Sequence, residues 1–97
     1  MKRTIPICLA TAVLAAACAT EPPAGQLASS EAALSAALDA GAAIASPGEL
    51  ALAREKLELS RRWMVAKDYK PARWLAEQAQ VDAELASLKA LGLRGQQ

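Results

Sequence analysis

The sequence has no histidine and no phenylalanine, and its 97 residues include only two cysteines, Cys8 and Cys18. Histidine is the most common general base in enzymes, and a serine or cysteine nucleophile normally needs such a base beside it. The five glycines are scattered along the chain, so no glycine-rich loop for binding phosphate is present. These absences argue against an enzyme, and we predict no catalytic residues and no cofactor.

Carboxylates are the remaining candidates for acid–base chemistry or for a metal site. Their spacing is typical of a solvated helix face, and no aspartate-rich loop gathers them into a set of oxygen ligands. We therefore predict a solvated face, and no metal site, from the following residues: Glu55, Glu58, Glu77, Asp82 and Glu84.

The charge balance argues against nucleic acid as a partner. The chain has 11 basic and 10 acidic residues, for a formal net charge of +1. If residues 1–17 are removed, Lys2 and Arg3 go with them, which leaves nine basic side chains against ten acidic ones. Proteins that bind nucleic acid usually carry a strongly basic face and stacking aromatics, and a nearly balanced charge with only three aromatic residues does not fit that pattern.

The N-terminal segment has the pattern of a bacterial export signal. Lys2 and Arg3 precede an apolar run over 5–17, which at about 13 residues is shorter than the roughly 20 needed to span a bilayer. The small residues before Cys18 resemble the lipobox of bacterial lipoproteins, although Ala15 stands where leucine is more usual. This resemblance implies a signal peptide over 1–17 and an acylated Cys18 that anchors the protein to a membrane.

The residue after the cysteine bears on the destination of the protein. By the same resemblance, Ala19 favours the periplasmic face of the outer membrane, because aspartate at that position commonly retains lipoproteins in the inner membrane. The alternative is ordinary secretory cleavage, for which Ala17 and Ala19 offer an A-x-A site, releasing a soluble periplasmic protein.

The rest of the chain is rich in alanine, and no window alternates apolar and polar residues long enough to predict a strand. Matched helix lengths of about 30 Å and tight turns favour an all-α, up-down-up bundle of three helices. We predict the following segments: Cys18 and a flexible tether over 18–26, helices over about 27–45, 47–67 and 69–91 within a helical domain over 27–92, and a tail over 93–97.

Local signals set these boundaries. Ser46 and Glu49 match a capping box at the start of the second helix, Asp68 is placed to cap the third, and Gly92 to end it. Gly41 costs the first helix about 1 kcal/mol relative to alanine, which predicts either close contact with a neighbouring helix or a bend. The third helix carries a seam of small residues that includes Ala72, Leu75, Ala76, Ala79, Ala83, Ala86 and Ala90.

Residues 46–90 carry a pattern that extends over the second and third helices. It includes Pro47 with Glu49 and Leu50, the segment 53–57, Asp68 with Tyr69, and then Ala72, Arg73, Leu75, Ala76, Glu77 and Ala79. Together with the lipobox and the alanine-rich first helix, this pattern resembles the bacterial envelope lipoproteins that carry the domain of unknown function 4398. The resemblance implies an exported, lipid-anchored helical domain, often associated with outer-membrane proteins of the peptidoglycan-binding type, with no known reaction.

Cationic and aromatic residues are concentrated around the turn between the second and third helices. They could contact anionic lipid headgroups, lipopolysaccharide or the acidic peptides of peptidoglycan. They could equally form a salt-bridged helix surface, with the tryptophans capping the end of the core. The residues of this possible interaction surface are Arg54, Arg61, Arg62, Trp63, Tyr69, Arg73 and Trp74.

We therefore expect a lipid-anchored envelope lipoprotein that is a non-catalytic structural or protein-interaction module. Its expected partners are the membrane, through the lipid, and an envelope protein or peptidoglycan, and homo-oligomers are possible because a core this small leaves apolar surface exposed. The alternative is a periplasmic module that binds a peptide or helix, because residues 68–79 resemble the helix junction of a tetratricopeptide repeat and could form an alanine-lined groove.

Overall fold

The structure is a computed structural model that describes residues 21–95, with side chains as far as residue 92. Cys18, the predicted signal peptide and most of the tether lie outside these residues. The described part contains helices and turns but no strand, which confirms the predicted all-α bundle. The helices are α1 (Ala24–Asp39), the single turn α2 (Ala42–Ala45), α3 (Pro47–Val65) and α4 (Tyr69–Gly95).

The predicted helix over 27–45 is wrong in its start and in its continuity. α1 begins at Ala24, so the last residues of the predicted tether are helical, and it ends at Asp39. Gly41 then adopts a left-handed conformation with φ 92°, and its amide donates to the Leu38 carbonyl at 3.1 Å. Because an α-helix cannot continue through that conformation, the chain restarts as α2. The sequence predicted either close helix contact or a bend at Gly41, and the structure shows a break in the helix there.

The C-terminal boundary is also wrong. α4 continues through Gly92 to Gly95, so part of the predicted tail over 93–97 is helical. Glycine ends a helix by adopting the left-handed conformation, and a positive φ occurs only at Gly41 and Lys67 among the residues that the structure describes. Gly92 therefore stays in the helix.

The turn from α3 to α4 is closed by the backbone. The Lys67 amide donates to the Met64 carbonyl and the Asp68 amide to the Trp63 carbonyl, each at 3.0 Å. This pair of bonds is a Schellman motif, and it places Lys67 in the left-handed region with φ 62°. That conformation costs a residue other than glycine about 1 kcal/mol.

The start of α3 differs from the predicted capping box. Pro47 occupies the first turn, as expected. Ser46, however, makes no side-chain bond to a backbone amide, and its hydroxyl instead donates to the Glu49 carboxylate at 2.5 Å. The same carboxylate also accepts a hydrogen bond from Lys89 on α4.

α4 is the central helix of the bundle. It packs along both α1 and α3, which contact each other much less. α3 runs antiparallel to α4, because Ser60 bonds to Ala72 and Glu49 pairs with Lys89. α1 runs parallel to α4, because Ser30 bonds to Ala76 and Ala37 lies in one buried cluster with Ala86 and Ala90, as an up-down-up order requires. The face of α4 that packs is an alanine seam of buried residues spaced alternately by four and three: Ala72, Ala76, Ala79, Ala83, Ala86 and Ala90.

The neighbouring helices place both alanines and leucines against the alanine seam. Leu50, Ala53 and Leu57 are buried on α3, and Ala37 on α1 is buried in one cluster with Leu50. Small side chains allow helix axes to approach more closely than leucine would, at the cost of less apolar surface buried per residue.

Two buried serines connect the outer helices to the backbone of α4. The Ser60 hydroxyl donates to the Ala72 carbonyl at 2.6 Å, and the Ser30 hydroxyl donates to the Ala76 carbonyl. A carbonyl oxygen has two lone pairs, so each can accept this bond in addition to one from an amide of its own helix. The serines are thus buried with their hydrogen-bonding capacity used, which avoids the cost of an unpaired polar group.

Ion pairs link the helices at the edges of these interfaces. Lys56 on α3 lies 2.7 Å from Asp82 on α4, and Asp82, expected on a solvated face, is largely covered. Glu49 pairs with Lys89, again between α3 and α4. Solvent screens pairs that are this exposed, so they contribute little to the free energy of unfolding. Their role is therefore to fix register more than to supply stability.

The alanine seam generates a stability prediction. Ala79→Leu inserts three heavy atoms into a filled interface, and we expect it to lower the free energy of unfolding by about 1–3 kcal/mol, measured by urea denaturation. Ala51→Leu, on the exposed side of α3, is the matched control and should change it little. A stable, fully helical Ala79→Leu protein would mean that a cavity or groove exists at that position.

Glu49 generates a pH prediction. Its pKa is lowered from 4.5 to about 2 by hydrogen bonds from Lys89, then from Ser46, and then from its own backbone amide. A lowered carboxyl pKa contributes stability that is present above the unfolded pKa of 4.5 and is lost as the pH falls through about 2. Glu49→Gln should therefore lower Tm near neutral pH, and its difference from the wild type should shrink between pH 4.5 and 2.

The control for this pH series is Glu77→Gln, on the exposed side of α4, where no ion pair is formed with any described residue. Its Tm should follow the wild type throughout. A Glu49→Gln deficit that stays constant down to the lowest pH would contradict the contribution of the ionised carboxylate.

Candidate functional site

One end of the bundle brings together most of the residues of the predicted interaction surface. α3 ends there at Val65 and α4 begins there at Tyr69. α1 also begins at this end, since Ser30 in its second turn bonds to Ala76 at the start of the third turn of α4. The N-terminus of the described chain and the α3–α4 turn therefore lie at the same end.

The aromatic residues of this end are only partly covered. Trp63 is 41% exposed and Trp74 is 58% exposed, while Tyr69 is half-buried. Both tryptophans lie within two helical turns of the α3–α4 turn, at most about 8 Å along the helix axes. Neither is a buried cap of the core, because the fully buried positions nearby are Ser60, Ala72 and Ala76.

The cations at this end are largely without acidic partners. Residues 61–74 contain five basic side chains and a single carboxylate, Asp68. Among the described residues, the following cations have no carboxylate oxygen within 4.0 Å: Arg62, Lys67, Lys70 and Arg73. Together with Trp63, Tyr69 and Trp74 they form what we call the aromatic-basic end.

Two residues of the predicted surface stand apart from this cluster. Arg61 is held in ion pairs with Glu31 at 3.0 Å and Glu58 at 3.5 Å, so its charge is engaged within the bundle. Arg54 is exposed, but it precedes Val65 by 11 residues, or about 16 Å of helix. Lys67 and Lys70, which the sequence analysis did not assign to the surface, lie in the cluster instead.

A second candidate surface lies on the side of α4 away from the alanine seam. Its apolar residues are spaced by seven, four and three positions, and Leu88 is 67% exposed. They are displaced by two residues from the seam, which is about 200° around the helix, and Glu77 and Glu84 flank them. This outer stripe consists of Trp74, Val81, Leu85 and Leu88.

The sequence reasoning missed the outer stripe, although its signal is present. Val81, Leu85 and Leu88 repeat the spacing of the alanine seam, and a helix whose two opposite faces are both apolar has more apolar surface than its own bundle can cover. The sequence analysis assigned the alanine face of this helix to the core and made no assignment for the larger apolar residues on the opposite face.

The described residues offer little support for a metal site or a binding groove. Within residues 21–95, no group of three or more cysteine, aspartate or glutamate side chains is arranged to hold a metal ion. A shallow surface depression on α3 is lined by Glu55, Glu58, Leu59 and Arg62 and is open to solvent. The alanines of the proposed groove, Ala72, Ala76 and Ala79, are buried in the helix interfaces.

The helices that the structure describes include none with the length and apolar character needed to cross a bilayer.

Neither a curated protein nor a solved structure matches this chain. The profile of one protein family matches residues 25–97, a range that starts in the first turn of α1 and includes all four helices. The chain therefore belongs to the family of the domain of unknown function DUF4398.

Proposed function

We propose that this protein is a lipid-anchored lipoprotein of the bacterial envelope that acts as a non-catalytic interaction module on the periplasmic face of the outer membrane. The anchor is Cys18, within the lipobox-like segment. Two boundaries support this assignment, because the family match starts at residue 25 and α1 starts at Ala24. Cleavage before Cys18 would therefore leave the whole bundle intact.

The observation that carries the interaction role is the outer stripe. Small monomeric proteins seldom leave a row of large apolar side chains in water along a whole helix, and such a row usually marks a protein contact. Val81, Leu85 and Leu88 recur at helical spacing, which fits the apolar face of a helix in a partner protein. The partner is then another envelope protein or a second copy of this chain.

The alternative of a peptide-binding groove between α3 and α4 has no observation in its favour. The alanines that would line it are covered by the neighbouring helices, and the serine hydroxyls of α1 and α3 bond directly to α4 across the interfaces. We therefore place the binding surface on the outside of α4.

The anchor is tested by Cys18→Ala. The wild-type chain should co-sediment with membranes and carry the mass of a diacylglyceryl group with a further acyl chain on its N-terminal cysteine, by mass spectrometry of the intact protein. The variant should lose the acyl mass. Cys8→Ala, a change inside the signal peptide, is the matched control and should leave acylation unchanged. Recovery of both variants and the wild type as the same unacylated periplasmic protein would contradict the anchor.

The outer stripe is tested by in-cell photo-cross-linking. A cross-linking amino acid placed at Val81 should give a discrete adduct, identified by mass spectrometry, which Leu85→Glu abolishes by placing a charge in the contact. Leu52→Glu, at a position of similar exposure on α3, is the control and should retain the adduct. Both variants should keep the wild-type free energy of unfolding within about 0.5 kcal/mol, because both positions are at the surface.

The identity of the adduct distinguishes the two partners. An adduct of twice the chain mass indicates a second copy, and a heterologous adduct indicates another envelope protein. An adduct that survives Leu85→Glu, or the absence of any adduct from Val81 in cells that contain acylated protein, would contradict the interaction role of the outer stripe.

A further inference from the structure

We propose that the aromatic-basic end rests directly on an anionic lipid surface, so that the bundle stands end-on against the membrane to which Cys18 anchors it. This inference rests on the lipid anchor of the proposed function and adds to it a second, non-covalent membrane contact. Its partner chemistry is the phosphate-bearing headgroup layer of a bilayer.

The first step of the argument is the reach of the chain. Glu21, the first described residue, follows Cys18 by three residues, and an extended chain covers about 3.3–3.6 Å per residue. The end of the bundle therefore lies within about 11 Å of the lipidated residue. Pro23 is buried, and its carbonyl accepts the Leu27 amide, so the entry to α1 is fixed and does not lengthen this reach.

The second step is which end of the bundle this short connection holds at the surface. α1 begins at the end where α3 and α4 meet, and that is the end that carries Trp63, Trp74 and Tyr69. The interfacial layer of a bilayer is about 5–10 Å deep, and indole and phenol rings favour it because they are both apolar and polar. Both tryptophans lie within about 8 Å of the turn, which is within that depth.

The third step is charge. Of the described cations, Lys56, Arg61 and Lys89 are engaged in ion pairs within the bundle. Those without such a partner are Arg54 and the four at the aromatic-basic end: Arg62, Lys67, Lys70 and Arg73. The unpaired positive charge is thus concentrated at the end that the anchor holds near lipid phosphate, where each cation strengthens attachment.

Substitution of Lys67 tests the lipid contact independently of protein stability. It holds the left-handed conformation with φ 62° at the tip of the turn, where glycine would be less strained. Lys67→Gly therefore removes a charge from the membrane-facing tip while relieving the backbone. We expect this variant to unfold at a higher temperature and to bind lipid less well, which separates lipid contact from folding.

The experiment measures tryptophan quenching in vesicles. The full chain is expressed with its own N-terminal segment, purified, and reconstituted into vesicles of brominated phosphatidylcholine, with or without phosphatidylglycerol. Trp63→Phe and Trp74→Phe allow each remaining tryptophan to report alone. We expect strong quenching of both in vesicles with phosphatidylglycerol, and weaker quenching without it or at high salt.

Charge variants measure the docked-to-undocked ratio in the same vesicles. Lys67→Gly and Lys70→Gln should each lower this ratio by about five-fold, the effect of one basic residue near an anionic surface. Arg54→Gln is the matched control, because this arginine is also unpaired but lies about 16 Å from the turn. It should leave the ratio unchanged.

The intact mass of the protein is determined on the same samples. The mass reports acylation at Cys18 and the tryptophan quenching reports the lipid contact, so the two are tested separately. Quenching by anionic vesicles in a chain without acyl mass supports the contact and contradicts the anchor. Acylated protein whose tryptophans are quenched equally with and without phosphatidylglycerol, or not at all, contradicts the contact. A tryptophan response to isolated peptidoglycan in place of vesicles, or equal losses from Arg54→Gln and Lys70→Gln, would also overturn it.

Discussion

The alanine seam of α4 is the constraint on which the rest of the structure depends. Six buried alanines, spaced by four and three residues, let α1 and α3 pack along one helix. Leu50 and Leu57 of α3 already fill the space over this seam, which leaves no room for further large side chains on the α4 side of the interface. The bulky apolar residues of α4 consequently lie on its other face, so the composition of the core and the exposure of the outer stripe have a single cause.

Close packing also explains the polar groups in the interfaces. An alanine core buries little apolar surface per residue, so hydrogen bonds from Ser30 and Ser60 to the α4 backbone add contacts that larger side chains would otherwise supply. Such bonds need the donor helix close to the carbonyl, which small residues allow. The Lys56–Asp82 and Glu49–Lys89 pairs then fix the register at the edges of the interface.

Periodicity in the sequence was sufficient to predict the class, the helix order and the alanine core, because alanine and leucine repeat at 3.5-residue spacing over long segments. The errors fall where backbone conformation decides the outcome. Gly41 and Gly92 are both glycines near a helix end, yet Gly41 is left-handed and Gly92 is helical. Conversely Lys67 adopts a positive φ, although lysine is not a residue type that favours the left-handed conformation. Ion-pair partners such as Asp82 also depend on register across helices, which a single sequence does not show.

The two candidate surfaces constrain each other through Trp74, which belongs to both. If the aromatic-basic end contacts lipid, α4 runs away from the membrane, and Trp74 is occupied at the headgroup layer. A partner on the outer stripe is then limited to Val81, Leu85 and Leu88. At 1.5 Å per residue, these lie about 18–28 Å above Tyr69. An end-on bundle would thus hold its protein contact at a set height above the bilayer, and α4 would act as a rigid spacer whose length fixes that height.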